Sequence, residues 1–344
     1  MTTSQSVNDA VGDGYSFLRR LGDRRVQTLG VLAAILLTFS IVVIINDGFS
    51  LFVQRSVDGL NNGFIYAAMA LALVLIYKAT TVVNFAQGEM AMFGTFLCYV
   101  FAENLGMPAP LAIVLGMITS GIAAAGIERV LIRPFDPHNH LAITIVTLGL
   151  FLILNALAGV IWAYDPRAFP SPFPLRNESF GLLGARVEWS DLFTWITVLV
   201  AVVLVSLLLT RTKMGLAFRS VSNNLESSEL MGIHVGRTLQ FGWALAAAVG
   251  TLAGALIGST TLVEPNFMGR VLIYSFAAAT LGGLDSLGGA VLAGLIIGLV
   301  QTMSGGYIDL IGSELAPAVA LVVIVAVLLV RPSGLFGSRR VERV

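Results

Sequence analysis

Apolar residues in this chain gather into runs of membrane length, with polar residues confined to the gaps between them. The runs fall near residues 29 to 45, 57 to 77, 85 to 104, 109 to 131, 141 to 164, 192 to 210 and 239 to 259. A helix of about 20 residues crosses a hydrocarbon core of about 30 Å. Lipid offers no partner to a bare peptide group, so spanning segments must be helices or strands of a closed barrel. The two-residue alternation of a barrel strand is missing, so helices are expected. The last third is less regular. Residues 271 to 284 and 287 to 304 are short runs joined through Gly282, Gly283, Asp285 and Gly288, and 315 to 330 closes the series. The pattern predicts an all-α, polytopic transmembrane helix bundle of eight to ten spans. Eight applies if the two short runs form one re-entrant hairpin, ten if both cross.

Composition agrees. The chain is 56% hydrophobic and 12% charged, with a mean hydropathy of +0.88, whereas soluble domains carry about 25% charged residues. Net charge is zero and the charges are sorted by side, so nucleic acid is not an expected partner and the lipid bilayer is. With the N-terminus inside and ten crossings, fifteen Lys and Arg fall inside, among them Arg19, Arg20, Lys78, Arg129, Arg133 and Arg219. Five fall outside: Arg55, Arg167, Arg176, Arg186 and Arg270. This bias predicts that both termini are cytoplasmic. The first run follows 28 mostly polar residues and reads as a retained helix rather than a signal peptide. The expected organisation is a cytoplasmic extension over 1–28, a transmembrane domain over 29–336 with a cytoplasmic loop at 211–237, and a tail over 337–344. Cys98, alone in an apolar span, excludes an intramolecular disulfide.

Catalytic motifs are missing. There is no phosphate loop, no paired cysteines, and His138 and His140 sit in a polar stretch without a third metal ligand; no metal is expected. Asn61, Asn62, Tyr66, Asn84, Gln87 and Glu89 concentrate at the second and third spans and the turn between them, the expected broken helix. Polar side chains in lipid are costly and face the bundle interior. Glu89 either attracts an ammonium group or holds the turn through nearby backbone N–H groups. Thr144, Thr147 and Asn155 share one face of the fifth span, either lining a path or bonding between helices. Gly250, Gly254 and Gly258 repeat every four residues and let a neighbouring helix approach. The Gly282-Gly283 and Gly288-Gly289 pairs permit unwound backbone, with the Asn84 to Gly88 turn as their counterpart in the first half. The segment from Asp165 to Asp191, with Pro166, Pro170, Pro172 and Pro174, is either a cap with a partner role or a stiffened connector.

The 211–237 loop holds Asn223-Asn-Leu-Glu-Ser-Ser-Glu-Leu-Met-Gly-Ile233. It offers an Asn cap, acidic residues in the following turns, apolar Leu225, Leu230, Met231 and Ile233, and Gly232 as a stop. This is a short amphipathic helix.

Four segments resemble the membrane subunits of branched-chain amino-acid ATP-binding-cassette importers. They are Leu73-Val-Leu-Ile-Tyr77 with Val83-Asn-Phe-Ala-Gln-Gly-Glu-Met90, then Glu128-Arg-Val-Leu-Ile-Arg-Pro134, then Leu281-Gly-Gly-Leu-Asp-Ser-Leu-Gly-Gly-Ala290, then Leu329-Val-Arg-Pro-Ser-Gly-Leu-Phe-Gly337. The likeness runs from about Leu60 to Gly337. It implies a permease of the bacterial cytoplasmic (inner) membrane that imports branched-chain or other hydrophobic amino acids by alternating access. It implies as partners a second homologous permease in a heterodimer, two ATPase subunits and an extracytoplasmic substrate-binding protein. ATP and Mg would then act at the ATPases, with no cofactor bound and no catalysis performed by this chain. The short helix would dock on the ATPase through Arg219, Asn223, Glu226, Glu229, Leu230 and Gly232. Urea and amide permeases of the same type are the alternative. An ion-coupled secondary transporter is the competing class, and the scarcity of buried titratable groups speaks against it.

Overall fold

The computed structural model describes residues 48–136, 139–173, 178–308, 312, 314–331 and 333–337. The expected extension over 1–28, the span at 29 to 45, His138, Pro174, Arg176 and the tail beyond Gly337 lie outside the described residues. Contacts divide the chain into two units, residues 1–54 with 183–185, and residues 55–182 with 186–344. In the first, the Ser50 hydroxyl donates to the Gly184 carbonyl at 2.6 Å. The second holds the polar groups and the cleft discussed below.

Helices dominate: α1 (Phe49–Thr80), α2 (Gln87–Tyr99), α3 (Ala109–Ile127), α4 (His140–Trp162), α5 (Trp189–Arg211), α6 (Lys213–Asn223), α7 (Leu225–Leu230), α8 (Val235–Gly258), α9 (Met268–Gly282), α10 (Leu287–Tyr307) and α11 (Ala316–Val330). Between α4 and α9 lie the short strands β1 (Arg167–Ala168), β2 (Ser179–Leu182), β3 (Ala185–Glu188) and β4 (Leu262–Val263). β1 pairs antiparallel with β4, giving the proline-rich segment a strand rather than only a loop. Six of the described helices are long and apolar enough to cross a membrane, and α9 and α11 are shorter apolar helices.

Burial runs opposite to apolarity. The most apolar 18-residue windows, in α4 and α5, are only 28% and 22% buried, while those of the more polar α1 and α8 are 83% and 72% buried. A protein in water would hide its most apolar helices first. Here the solvent is lipid, and helix association rests on close packing instead.

That packing uses small residues. A Cβ on Gly63 would sit 2.9 Å from the Leu295 Cα, and one on Gly294 2.5 Å from the Ala67 Cα, so α1 and α10 meet backbone to backbone. Gly250 and Gly254 of α8 face α2. Carbons there would press on Gln87, Ala91 and Thr95, while one on Gly258 would meet Val263. α3 lies along α8, where the Ser120 and Thr251 hydroxyls are 2.7 Å apart and Gln240 donates to the Ala125 carbonyl at 3.1 Å.

The corner between α9 and α10 shows why two of the motifs recur together in sequence. Gly283 takes φ +103°, a conformation open to glycine. The C-terminal segment folds back on it, with Leu335 N donating to Leu281 O at 2.8 Å and Phe336 N to Gly282 O at 3.1 Å. Lys78, at the end of α1, donates to the Asp285 carbonyl at 2.7 Å. Three distant motifs thus close one knot.

Candidate functional site

Polar side chains within the membrane-spanning bundle fall into three groups. In the first, Asn62 and Tyr66 of α1 approach Gln301 of α10, with Tyr66 donating at 3.4 Å and Asn62 at 3.5 Å. Tyr66 also stacks on Tyr274 at 4.9 Å between ring centroids. Asn61 Oδ1 beside them is buried and has no partner among the described residues.

The second group is the break between α1 and α2. Asn84 folds its side chain onto the chain ahead, its Oδ1 accepting from Ala86 N at 3.0 Å and its amide donating to Gln87 Oε1 at 3.4 Å. Gln87 in turn donates to the Ala246 carbonyl of α8 at 3.1 Å. Both side chains are buried. They are consumed in holding the helix start, as short polar side chains do at helix entries.

The third group joins three elements. Asn155 of α4 donates to Glu89 Oε2 at 3.2 Å and to Asn266 Oδ1 at 2.6 Å. Glu89 is the third residue of α2, and Asn266 lies two residues before α9. Thr144 and Thr147 do not join this group. Their hydroxyls bond back to the carbonyls of His140 and Thr144 within α4, so of that expected face only Asn155 reaches another helix.

Asn266 escaped the sequence reading although a signal for it exists. Thr80-Thr-Val-Val-Asn-Phe85 before α2 is matched by Thr260-Thr-Leu-Val-Glu-Pro-Asn-Phe267 before α9. A second interruption, at the Asn266 turn, thus carries letters like those of the Asn84 turn. α9 runs antiparallel to the α2 entry: Leu272 packs on Gly88, and the Phe276 ring lies 5.8 Å from that of Phe85.

A separate region gathers around the 211–237 loop. Thr212 caps α6 through Gly215 N at 3.0 Å, and Asn224 caps α7 through Ser227 N at 2.7 Å. The cap is thus Asn224, while Asn223 is the last residue of α6. Phe218 and Val221 bury the inner face of α6, and Ser220 and Ser228 tie the two helices at 2.9 Å. Gly232 stops the pair at φ +80°. Leu230 and Met231 are left 90% and 69% exposed.

Beneath this pair is a cleft of about 610 Å³ lined by Lys78, Glu128, Arg133, His140, Asn223 and Glu226, among others. Its floor is an ion pair that the sequence reading also missed: fully buried Glu128 accepts from Arg133 Nη2 at 2.7 Å. A π-turn over Glu128–Ile132 brings the two residues together at a spacing of five, with Arg133 N bonded to Glu128 O at 2.8 Å. Arg133 also donates to Gly236 O at 2.7 Å, fastening the end of α3 to the start of α8 at the end of the loop. Among the described residues no cluster of His, Cys, Asp and Glu could hold a metal.

A bundle of apolar helices broken inside the bilayer, carrying an amphipathic helix pair at one end, defines a membrane permease. Residues 56–331 match the family described as branched-chain amino acid transport system / permease component, and the chain belongs to that family. It is 28% identical to the high-affinity branched-chain amino acid transport system permease protein LivH of Salmonella typhimurium, over 87% of this chain and 100% of that protein. It is 30% identical to the probable branched-chain amino acid transport permease protein LivH of Methanocaldococcus jannaschii, over 78% of this chain and 87% of that one. Among solved structures, PsaBC from Streptococcus pneumoniae in complex with Fab aligns with 86% of this chain and 97% of its own at a TM-score of 0.45 and 14% identity.

Proposed function

We propose that this chain is one of two membrane subunits of an ATP-binding-cassette importer that carries branched-chain or other hydrophobic amino acids across the bacterial inner membrane. The family match over residues 56–331 supports the class, and the likeness to branched-chain amino acid permeases supports the substrate. ATP and Mg act at separate ATPase subunits, an extracytoplasmic binding protein delivers the substrate, and a second, non-identical permease completes the pore. The Lys and Arg count supports cytoplasmic termini and a cytoplasmic 211–237 loop.

The observation that carries the coupling role is the α6–α7 pair. Leu230 and Met231 project at the end of a capped helix, with no partner among the described residues to cover them. The acidic Glu226 and Glu229 beside them are disfavoured at an anionic leaflet. Such a tip fits a groove on a protein, as amphipathic helices do. Through Ser220–Ser228 and Arg133–Gly236, motion of the tip reaches α3 and α8.

The test is ATP hydrolysis by the reconstituted complex with binding protein and leucine present. Leu230→Asp is expected to lower stimulated hydrolysis at least tenfold while this chain still folds. Unchanged stimulation would remove the coupling role, and uptake driven by an ion gradient without ATP would remove the importer reading.

A further inference from the structure

The intramembrane carboxylate of Glu89 has chemistry to spare. The residue is 3% exposed, and its one hydrogen bond reaches Oε2 from Asn155. Among the described residues no cation forms an ion pair with it, and Oε1 accepts nothing. Asn155 spends its amide on both neighbours, so its own carbonyl oxygen is open as well. A charge held in the bilayer without a partner is costly unless something supplies one.

The facing side of the group has the opposite character. Asn266 is exposed and held at φ +83°, a left-handed conformation that asparagine tolerates better than other side chains. Its amide nitrogen is unspent, and it opens the 15-residue α9, whose first turn carries Gly269 and Arg270. A Cβ on Gly269 would meet nothing within 4 Å, so this turn fronts open space. Helix N-termini and free amides attract anions.

We propose that Glu89, Asn155 and Asn266 recognise the head group of a free α-amino acid inside the membrane. The ammonium group is taken by Glu89 Oε1 and the Asn155 carbonyl, and the carboxylate by the Asn266 amide and the first turn of α9. The side chain of the substrate needs only an apolar wall. This deepens, and rests on, the amino-acid reading given above. The cluster lies fifteen residues from the His140 end of α4 and seven from the Trp162 end, well within the span. A substrate entering from the Trp162 end would therefore meet it about a third of the way along α4.

The experiment measures leucine uptake and ATP hydrolysis together in proteoliposomes holding the whole complex. Glu89→Gln keeps the bond from Asn155 and removes the charge. Gly269→Leu adds a bulky side chain whose Cβ meets nothing within 4 Å, and Asn266→Gly keeps the backbone conformation while removing the amide. Uptake is expected to fall at least tenfold in Glu89→Gln and Gly269→Leu, and about fivefold in Asn266→Gly, with the complex still assembled and its thermal stability unchanged. The proposal is overturned if Glu89→Gln and Gly269→Leu both take up leucine within twofold of wild type. It is equally overturned if Glu89→Gln loses hydrolysis and thermal stability together while Gly269→Leu transports normally, since the carboxylate then only holds α2. The wild-type complex separately checks the importer reading. If it moves urea with ATP but no leucine, the substrate reading fails on that measurement alone, before any variant is compared.

Discussion

The turns before α2 and α9 carry nearly the same letters and end in opposite circumstances. Thr80-Thr-Val-Val-Asn-Phe85 delivers Asn84 into a sealed contact, 1% exposed, where it caps its own turn and holds Gln87 against α8. Thr260-Thr-Leu-Val-Glu-Pro-Asn-Phe267 delivers Asn266 to an exposed position at φ +83°, bonded to a different helix. The glycine that follows each turn repeats the contrast. A Cβ on Gly88 would lie 3.0 Å from Leu272, and one on Gly269 would touch nothing. Repeated sequence makes two helix entries, and packing decides that one is a pin and the other an opening.

Chemical accessibility should show the contrast most sharply. Cys98, the single cysteine, is buried at 0% exposure and gives a silent background. Cysteine at position 266 should react with a maleimide in intact nanodiscs at least ten times faster than cysteine at position 84. Equal rates would erase the distinction.

The seat of α2 can be attacked next. Gly254→Val would drive carbons into Thr95 and against the Ala91 carbonyl at 3.1 Å. Overpacking of this kind costs about 3 kcal/mol, and thermal melting of the complex should fall accordingly, with the Asn84 turn lost first.

The smallest effects separate the two asparagines themselves. Asn84→Ala removes the side-chain turn onto Ala86 N and leaves buried Gln87 Oε1 without its donor, for a loss of about 2 kcal/mol. Asn266→Gly exchanges one exposed hydrogen bond for relief of a left-handed backbone, so stability should stay within about 1 kcal/mol of wild type. Melting curves of the two variants side by side check the sign of the difference.

Much of this architecture was legible in the chain. The runs near 109 to 131, 192 to 210 and 239 to 259 appear as helices ending within a few residues of those limits, because lipid thickness and backbone hydrogen bonding leave no other solution. The break at Asn84 was readable from polar residues crowded where lipid forbids them. The α6–α7 pair was readable from its caps and its glycine stop, although the cap proved to be Asn224, one residue later than the start of the motif.

What the sequence could not supply was partnership across long separations. Glu128 and Arg133 looked like flanking charges. They form a buried ion pair only because a π-turn sets a spacing of five, and Gly236, 103 residues later, accepts a second bond from the same Arg133 nitrogen. Asn155 looked like one member of a helical face with Thr144 and Thr147. It differs because α2 and the entry to α9 both arrive at it, 66 residues before and 111 residues after in the chain. The sequence by itself determined that the chain is a set of membrane helices, that one of them breaks at Asn84 and that the 211–237 loop carries an amphipathic helix. These follow from local periodicity and from a solvent that punishes every unpaired peptide group. Only the tertiary structure decided which polar residues are spent on holding the bundle and which keep an open hydrogen-bonding group, because that depends on neighbours brought together by packing rather than by sequence.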